Sequence, residues 1–532
     1  MTRHLIGIDV GTGSARAGVF DTDGQLLAHA SRPVQMHRPT GDIAEQSSAQ
    51  VWDAVCLAVR QAVGQAGIDP ASVAGIGVDA TCSLVVCGDG PLGVGDPAQP
   101  DRDIIVWMDH RAVEQAARIN AGDHEVLNYV GGRISPEMET PKLLWLKENR
   151  PQVFDAARDF FDLTDFLTWK ATGSKARSIC TVTCKWTYLA HEGRWDADYF
   201  HAIGLGVLAD EGFTRIGTQV VEPGTALGAG LTPDAAHAMG LPAGIAVAAG
   251  LIDAHAGGIG TVGAGDPFAS LGYVFGTSSC TMTTTREPAF VPGVWGPYFS
   301  AMVPGAWLNE GGQSVAGAAI DHLVAMHPAH ARASAAAADA GQSLPEWLAD
   351  QAGRAGDAVT RARHLHVVPE FLGNRAPFAD PQARAVVMGQ GMEVDMASLV
   401  SLYVAGICGL GYGLRQIIQT QADHGAGVSR IAISGGAGRH PLIRQLLADA
   451  TGLPVDVTSC PEPVLLGSAI LGGVAGGVHR DIHAAMSAMT RVQGTCQPAG
   501  GDLRRLHDSR HRAFLQLQSM ARQIRADTPP SP

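Results

Sequence analysis

The sequence lacks the signals that would place a chain in a membrane or outside the cell. It has no uninterrupted apolar run of about 18 residues, so no membrane-spanning helix is predicted. A core strand is predicted within five residues of the start, so we expect no signal peptide. The nine cysteines include no Cys-x-x-Cys pair, and scattered thiols are typical of a reducing compartment. We therefore expect a cytoplasmic protein.

Positive charge and the common nucleotide signatures are also scarce. Lys and Arg number 38 against 51 Asp and Glu, and the net charge of −13 argues against nucleic acid and anionic membranes as partners. No Walker motif occurs, and the N-terminal glycine-rich turn leads into a strand-like run rather than the helix of a Rossmann fingerprint. The 532 residues, 46% apolar and 17% charged, instead fit a packed enzyme with two domains.

A glycine-rich turn that follows an apolar strand occurs twice. The two copies read Gly11-Thr12-Gly13-Ser14 and Gly276-Thr277-Ser278-Ser279. Glycine permits a sharp turn and lets backbone amides approach a charged ligand. A tight β-hairpin explains either copy alone, whereas two copies facing each other across a cleft would hold a polyphosphate. Asp9 precedes the first copy, and its carboxylate can reach a phosphate-bound Mg²⁺ through water.

Asp253 follows another apolar strand and begins a predicted helix. An N-cap is the simpler explanation, because Asp is a favoured capping residue. The alternative is a general base between two domains, since phosphoryl transfer to an alcohol needs one carboxylate to accept the hydroxyl proton. A third glycine cluster, with Gly435, Gly436 and Gly438, is either an ordinary strand–helix loop or a platform for adenosine.

Two short strings combine charged and aromatic residues in the way that polyol sites do. They are residues 107–111, with Asp109, and residues 184–188, with Lys185. Alone, each string is more often a helix start or a packed tryptophan. Glu310 precedes a Gly-Gly turn, where its carboxylate would cap a helix or face a ligand. His110, His255 and His440 form no metal-ligand set in the sequence, and we expect them to have structural or supporting roles.

Taken together, these residues resemble the FGGY carbohydrate kinases of the actin/Hsp70/hexokinase superfamily, over about residues 1–495. The strings that are similar to the pentulose-kinase branch typified by D-ribulokinase are 78–86, 107–112, 142–149, 184–188, 251–258 and 291–300. The resemblance implies an α/β fold with two ribonuclease-H-like domains around a central cleft. The division it implies is an N-terminal domain over 1–265, a C-terminal domain over 266–500, and a helical and disordered tail over 501–532.

The resemblance also implies a reaction and its residues. ATP with Mg²⁺ would phosphorylate the terminal hydroxyl of a ketopentose, D-ribulose first, with L-ribulose, xylulose or ribitol as alternatives. Asp253 is implied as the catalytic base, and it would also contact the sugar and reach the metal through water. The implied sugar contacts are Asp79, Asp109, Lys185 and Glu310. The implied nucleotide contacts are Gly11, Thr12, Gly13, Ser14, Arg16, Gly276, Thr277, Ser278, Gly435, Gly436 and Gly438.

One alternative comes from a different functional class. An ATPase switch of the same superfamily would need a client-binding or polymer-forming region, and the sequence shows none after the core. Arg439 and His440 also depart from the smaller polar residues usual in this branch, which affects the predicted nucleotide contacts. A homodimer is left open as the assembly.

Overall fold

A mixed sheet with helices on its faces organises the N-terminal half of the chain. The computed structural model describes residues 2–356 and 358–528. The strands of this half are β1 (His4–Val10), β2 (Ser14–Asp21), β3 (Leu26–Pro33), β4 (Glu45–Gln46), β5 (Val73–Ala80), β6 (Leu84–Cys87), β7 (Ile104–Ile105), β8 (Asp159–Asp162), β9 (Arg177–Ser178), β10 (Val220–Val221), β11 (Ala246–Val247) and β12 (Leu251–Ile252). Its helices are α1 (Ser48–Ala66), α2 (Val113–Asn120), α3 (Glu139–Asn149), α4 (Pro151–Ala156), α5 (Leu163–Thr172), α6 (Ile179–Trp186), α7 (Ala197–Ala202), α8 (Gly206–Asp210), α9 (Pro233–Met239) and α10 (Asp253–Val262).

The C-terminal half repeats this plan. Its strands are β13 (Ser270–Phe275), β14 (Ser279–Thr285), β15 (Trp295–Phe299), β16 (Trp307–Gln313), β17 (His366–Val368), β18 (Val386–Met388), β19 (Arg430–Ser434), β20 (Val455–Thr458) and β21 (Val492–Cys496). Its helices are α11 (Gly317–Ala325), α12 (His330–Asp339), α13 (Leu344–Ala355), α14 (Ala358–Arg361), α15 (Met396–Asp423), α16 (Pro441–Thr451), α17 (Pro463–Ala475), α18 (Ile482–Met489) and α19 (Gly501–Asp527).

The two main sheets share one strand order. The first runs β3-β2-β1-β5-β11, and β12 also pairs with β5. The second contains the corresponding run β16-β14-β13-β19-β20. In each, three antiparallel strands are followed by parallel ones: β1 pairs antiparallel with β2 and parallel with β5, as β13 does with β14 and β19. The expected pair of ribonuclease-H-like domains is therefore confirmed.

Two helices connect the domains. Helix α10 leaves the first sheet and packs along β13, while α17 leaves the second sheet and packs on β1, β5 and α10. Glycines allow this approach, since a Cβ at Gly77 would lie 1.8 Å from the backbone oxygen of Ser468. The small residues that the sequence places in α17 are thus explained by close packing between domains.

The longest apolar helix lies inside the second domain. Among the described residues, α15 is the one helix long and apolar enough to cross a membrane, with a mean hydropathy of 1.6 over its most apolar 18 residues. Its buried residues include Leu402, Tyr403, Ile407, Leu410 and Leu414, which belong to the core of that domain. Burial on this scale identifies α15 as a core helix.

The C-terminal helix packs against the second domain. The sequence predicts a basic amphipathic helix here, with its arginines on a solvated face. The helix is present, but Arg510 is buried and donates to the hydroxyl of Tyr412 (3.1 Å) and the carbonyl of Leu365 (3.0 Å). The arginine therefore ties α19 to the domain core. The Pro-rich tail expected after it, residues 529–532, lies outside the described residues.

Candidate active site

Three carboxylates meet where neighbouring parallel strands of the first sheet end. Asp9 in β1 is paired in register with Asp79 in β5, and β12 pairs with the same stretch of β5 immediately before Asp253. Asp9 and Asp79 are buried, while Asp253 is partly open to solvent. Ligands of open α/β sheets bind at the carboxyl ends of the strands. The β1–β5–β12 edge is therefore the natural place for chemistry.

Mutual repulsion helps to raise the pKa of two of these acids. Burial, together with the charge of Asp9, raises the pKa of Asp253 to about 6, although Asp253 accepts a hydrogen bond from the Ala254 amide (2.8 Å). Burial and Asp9 likewise raise the pKa of Asp79, against a hydrogen bond from the Ser468 hydroxyl (2.6 Å). Oδ1 of Asp79 has no hydrogen-bond partner within the described residues. A set of close carboxylates with unmet charge fits a divalent cation.

Arg16 brings a positive charge to this group of acids. Its guanidinium contacts Asp9 and also donates to Glu462 of the second domain (2.8 Å). Glu462 immediately precedes α17. Arg16 therefore joins the two domains beside the acid cluster, where the sequence predicts a nucleotide contact.

The first glycine-rich turn consists of the four residues between Val10 of β1 and its paired residue Ala15 of β2. The Gly11 amide donates to the Ser14 carbonyl (3.0 Å), and Gly13 accepts from the Val34 amide (3.0 Å). The Thr12 hydroxyl accepts a hydrogen bond from the Trp107 indole (3.0 Å). The Trp107 string thus contacts this turn, a link that separate motifs did not predict.

The second glycine-rich turn is one residue shorter. Phe275 pairs with Ser279, which leaves Gly276, Thr277 and Ser278 as the connection. Its carbonyls are held by the Gly317 amide, bound to Gly276 (2.9 Å), and the Ala316 amide, bound to Thr277 (2.8 Å). The side chain of Thr277 is exposed. The turn is therefore rigid on one side and open on the other.

A cavity of 530 Å³ connects the second turn to the third glycine cluster. Gly276, Thr277 and Gly436 line it, and Tyr403 and Ile407 are among the apolar residues of its walls. Gly435 lies at its edge with φ of +94°, and a Cβ there would lie 2.4 Å from the carbonyl oxygen of Phe275. Gly435 therefore sets the close approach of β19 to β13 that shapes the cavity. The first-domain residues Gly11, Thr12, Gly13, Ser14 and Arg16 lie outside it.

The two residues that depart from the family pattern also line this cavity. Arg439 and His440 both stand in its wall. His440 accepts from the Leu442 amide (3.2 Å) at the start of α16, and its Nε2 contacts Asp350 (3.1 Å). His440 thus begins a helix, while the exposed Arg439 offers a positive charge to the cavity.

Lys185 and Glu310 form the charged part of the sugar-side region. Lys185, 7% exposed at the end of α6, lies over the Trp295 ring at 5.1 Å. No side-chain hydrogen bond or ion pair engages its ammonium anywhere in the described part of the chain. Burial disfavours charge on Glu310, but the hydrogen bond from His255 (3.2 Å) and the charge of Lys185 lower its pKa to about 2. An unpaired ammonium and a firmly ionised carboxylate suit a ligand with several hydroxyls.

Asp109 differs from the other predicted sugar contacts. Both of its oxygens are occupied: Oδ2 accepts from the Ala44 amide (2.7 Å), and both oxygens accept from the Arg111 guanidinium (2.8 Å each). It is fully buried, and Arg111 bonds Glu45 as well (2.9 Å). This geometry argues against the predicted sugar contact, because no acceptor is left for a hydroxyl. Asp79, also fully buried, is paired with Asp9 in the strand register and accepts a hydrogen bond from the Ser468 hydroxyl.

Several residues of this region carry no sequence motif. Arg375 lies over Trp295 at 5.6 Å, and its charge helps to lower the pKa of Glu310 and of Glu137. Glu137 in turn contacts Nε2 of His110 (3.3 Å). Arg375 and Glu137 lie in loops, where periodicity gives no signal. The one available sequence signal is the position of His110, the partner of Glu137, inside the Trp107 string.

Comparisons with known proteins agree with this geometry. Residues 4–260 and 271–476 match the N-terminal and C-terminal domains of the FGGY family of carbohydrate kinases. The chain is 45% identical to an FGGY carbohydrate kinase domain-containing protein of Homo sapiens, over 97% of this chain and 96% of that one. It is 39% identical to a D-ribulokinase of Saccharomyces cerevisiae, over 89% of this chain and 72% of that one.

Solved structures share the fold of the chain. The crystal structure of xylulose kinase from Rhodospirillum rubrum superposes with a TM-score of 0.80 at 23% identity, covering 98% of this chain and 99% of that one. This likeness shows the two-domain fold. The matches over both halves and the 39% identical D-ribulokinase establish the activity class as phosphoryl transfer to an alcohol group. The chain belongs to the FGGY family of carbohydrate kinases.

Proposed function

We propose that the chain uses ATP with Mg²⁺ to phosphorylate the terminal hydroxyl of a ketopentose, and that D-ribulose is its preferred substrate. The observation that carries the proposal is the position of Asp253 at the carboxyl end of β12, beside the sheet edge that holds Asp9 and Asp79. Two residues further along, His255 contacts Glu310 of the sugar-side region (3.2 Å). The similarity to a D-ribulokinase of yeast supports the choice of sugar.

Asp253 has the properties of a general base for this reaction. With a pKa of about 6 it is ionised at neutral pH, yet it is more basic than an ordinary aspartate. One carboxylate oxygen is held by the Ala254 amide, which leaves the other for the hydroxyl proton. Lys185 and Glu310 would bind the remaining hydroxyls, with the Trp295 ring beside them. Orientation of the acceptor then contributes much of the rate.

The residues present fit both ATP and a divalent cation. Asp9 would hold Mg²⁺ through water, with Asp253 as a second partner, and the unmet acceptor capacity of Asp79 agrees with a positive ion nearby. When bound, Mg²⁺ neutralises charge on the phosphates. The two glycine-rich turns would bind the phosphates through backbone amides. The cavity lined by Gly436, Arg439 and Tyr403 would take adenosine.

Other sugars remain the competing substrates. L-ribulose, xylulose and ribitol differ from D-ribulose by one stereocentre or one oxidation level. A hydroxyl contact discriminates strongly only where the site is built to bond it. The ATPase switch without sugar kinase activity is set aside, because both halves of the chain match carbohydrate kinase domains.

A substrate panel tests the proposal directly. ADP release is measured for the wild type with D-ribulose, L-ribulose, D-xylulose, ribitol and glycerol, and without sugar. We expect the highest kcat/KM with D-ribulose, roughly tenfold or more above the others, as one built hydroxyl contact provides. Asp253→Asn, purified in parallel, controls for contaminating kinases. A higher kcat/KM with any other sugar would overturn the assignment of D-ribulose.

The cytoplasm is the proposed location. All nine cysteines are free thiols. The sulfur atoms of Cys180 and Cys184 lie within 4.8 Å of a ring nitrogen of His255. Free thiols persist in a reducing compartment.

A further inference from the structure

A continuous chain of buried polar groups runs behind the sugar-side region. Nδ1 of His255 lies 3.2 Å from Sγ of Cys180, and Nε2 of the same ring lies 3.2 Å from Oε2 of Glu310. Cys180 and His255 have no exposed surface. Such a chain must be satisfied internally, because no water replaces a lost partner.

The three residues come from three different elements. Cys180 lies on α6, whose last turn carries Lys185, and Glu310 lies on β16 of the second domain. His255 lies on α10, two residues after Asp253. The sulfur of Cys180 also accepts from the Ile252 amide (3.4 Å), just before Asp253. The imidazole therefore connects the segments that carry Asp253, the proposed base, and Lys185 and Glu310, the proposed sugar contacts.

Both ring nitrogens of His255 face a partner, Sγ of Cys180 at Nδ1 and Oε2 of Glu310 at Nε2. A doubly protonated ring donates to both neighbours, whereas a neutral ring has only one donor. The ionised Glu310 therefore accepts from His255 at Oε2, while its Oε1 lies 3.5 Å from the Cys280 thiol.

We propose that His255 is a positioning residue that fixes the Glu310 carboxylate opposite Lys185 and couples it, through Cys180, to the segment that carries Asp253. The inference deepens the proposed function and rests on Glu310 being a sugar contact. Glu310 belongs to the second domain, so His255 sets its register relative to the first-domain base. Sugar affinity then depends on a residue that does not touch the sugar.

Two conservative substitutions separate the two ends of the ring. His255→Gln places an amide donor near the position of Nε2 and keeps a bond to Glu310. His255→Asn places its donor near Nδ1 and keeps only the bond to Cys180. We expect Asn to raise the sugar KM by roughly 10- to 100-fold, the range for losing a hydrogen bond to a charged group. Gln should restore much of the affinity, and the KM for ATP should stay within about twofold in both.

A double-mutant cycle tests the connection to Glu310. With Glu310→Gln already present, His255→Asn should raise the sugar KM by less than about threefold, because contacting residues are not additive. His507→Ala provides the control. His507, in α19, is also fully buried, and its Nδ1 forms a hydrogen bond with the Tyr412 hydroxyl (2.9 Å). That substitution should lower thermal stability and leave both KM values unchanged.

Different results would overturn the inference. Equal sugar KM values in the Asn and Gln variants, or additive effects with Glu310→Gln, would reduce His255 to a packing role. A metal ion is the rival occupant, because the ligand atoms of Cys180, Cys184 and His255 lie within 4.8 Å of one another. One equivalent of zinc in the purified wild type, lost in Cys180→Ser, would replace the hydrogen-bonded chain by a metal site.

Failure of the proposed function is distinguishable from failure of this inference. If the wild type prefers a sugar other than a ketopentose, the proposed substrate is wrong. The same His255 variants measured with that sugar still decide whether the ring positions Glu310.

Discussion

Replacing Asp253 by Asn is the sharpest test of the chemistry. The substitution removes the base and little else, since the Asn side chain keeps an oxygen. That oxygen can accept the hydrogen bond that the Ala254 amide now donates to Asp253 (2.8 Å). Loss of a general base typically costs 10²- to 10⁴-fold in rate. That range corresponds to roughly 3–5 kcal/mol in the activation free energy. We expect kcat to fall by this amount while the KM for ATP stays within about twofold.

The pH profile identifies the base independently. Because Asp253 acts in its ionised form and its pKa is about 6, about nine-tenths is active at pH 7 and about one-tenth at pH 5. The wild-type kcat/KM should therefore fall about tenfold from pH 7 to pH 5. The residual activity of the Asn variant should lack this acidic limb. Coupled ADP release at saturating ATP measures both profiles.

Stability should move in the opposite direction to activity. The pKa of Asp253 is raised from 3.8 to about 6, so the folded state disfavours the ionised form by at most ~3 kcal/mol. That cost is absent below about pH 4 and complete above about pH 6. Asp253→Asn should therefore unfold at a higher temperature than the wild type at pH 7.5, and the difference should vanish near pH 4. Asp23→Asn, an exposed aspartate of the first domain, should change neither activity nor stability.

Either of two results would contradict the role assigned to Asp253. Near-normal turnover in the Asn variant would remove Asp253 from the role of base. A retained acidic limb in that variant would show that another group controls the pH dependence, even if the rate falls as expected.

The remaining predictions concern the sugar side and the domain interface. Lys185→Met should raise the sugar KM roughly 10- to 100-fold with little change in the KM for ATP. The substitution removes a buried ammonium that has no hydrogen bond or ion pair to the protein and that would bind a sugar hydroxyl. Lys170→Met is its control, since that lysine also lies over a tryptophan ring (5.9 Å) but is exposed and distant from the sugar-side residues; equal effects on the sugar KM would refute the assignment. Gly77→Ala should lower the unfolding temperature and the activity, because its Cβ would lie 1.8 Å from a backbone oxygen of α17. Gly64→Ala in α1, where a Cβ meets nothing within 4 Å, should instead stabilise by about 0.5–1 kcal/mol; matching melting curves for the two variants would contradict the packing argument.

Local signals predicted individual elements well. The apolar pattern of the sequence predicts a helix from Ser47 to Ala66, which is α1, with the Ser47 side chain as its N-cap. It also predicts a long helix from Met396 to Gln421, which is α15. Both patterns succeed because apolar periodicity and caps act over a few residues. The division of the chain at residue 265 stays a prediction, as do the roles of the site residues.

Long-range contacts were beyond the same signals. Asp109 has the residue type and neighbours of a sugar contact, yet Arg111 and the Ala44 amide occupy its oxygens. The connection from His255 to Glu310 spans 55 residues, and Arg375 reaches the Trp295 ring from a loop without periodicity. One-dimensional spacing does not show which carboxylate is already bonded.

The sequence by itself pointed to the family through its resemblance over long distinctive strings. It also indicated the duplicated α/β plan and the acids at the strand ends, because strand periodicity and glycine-rich turns are local signals. Only the tertiary structure decided which of those acids has a free oxygen, which lysine lacks a protein partner and which histidine links the two domains. Burial and pairing depend on side chains far apart along the chain, and they set the charge and orientation of each group in the cleft.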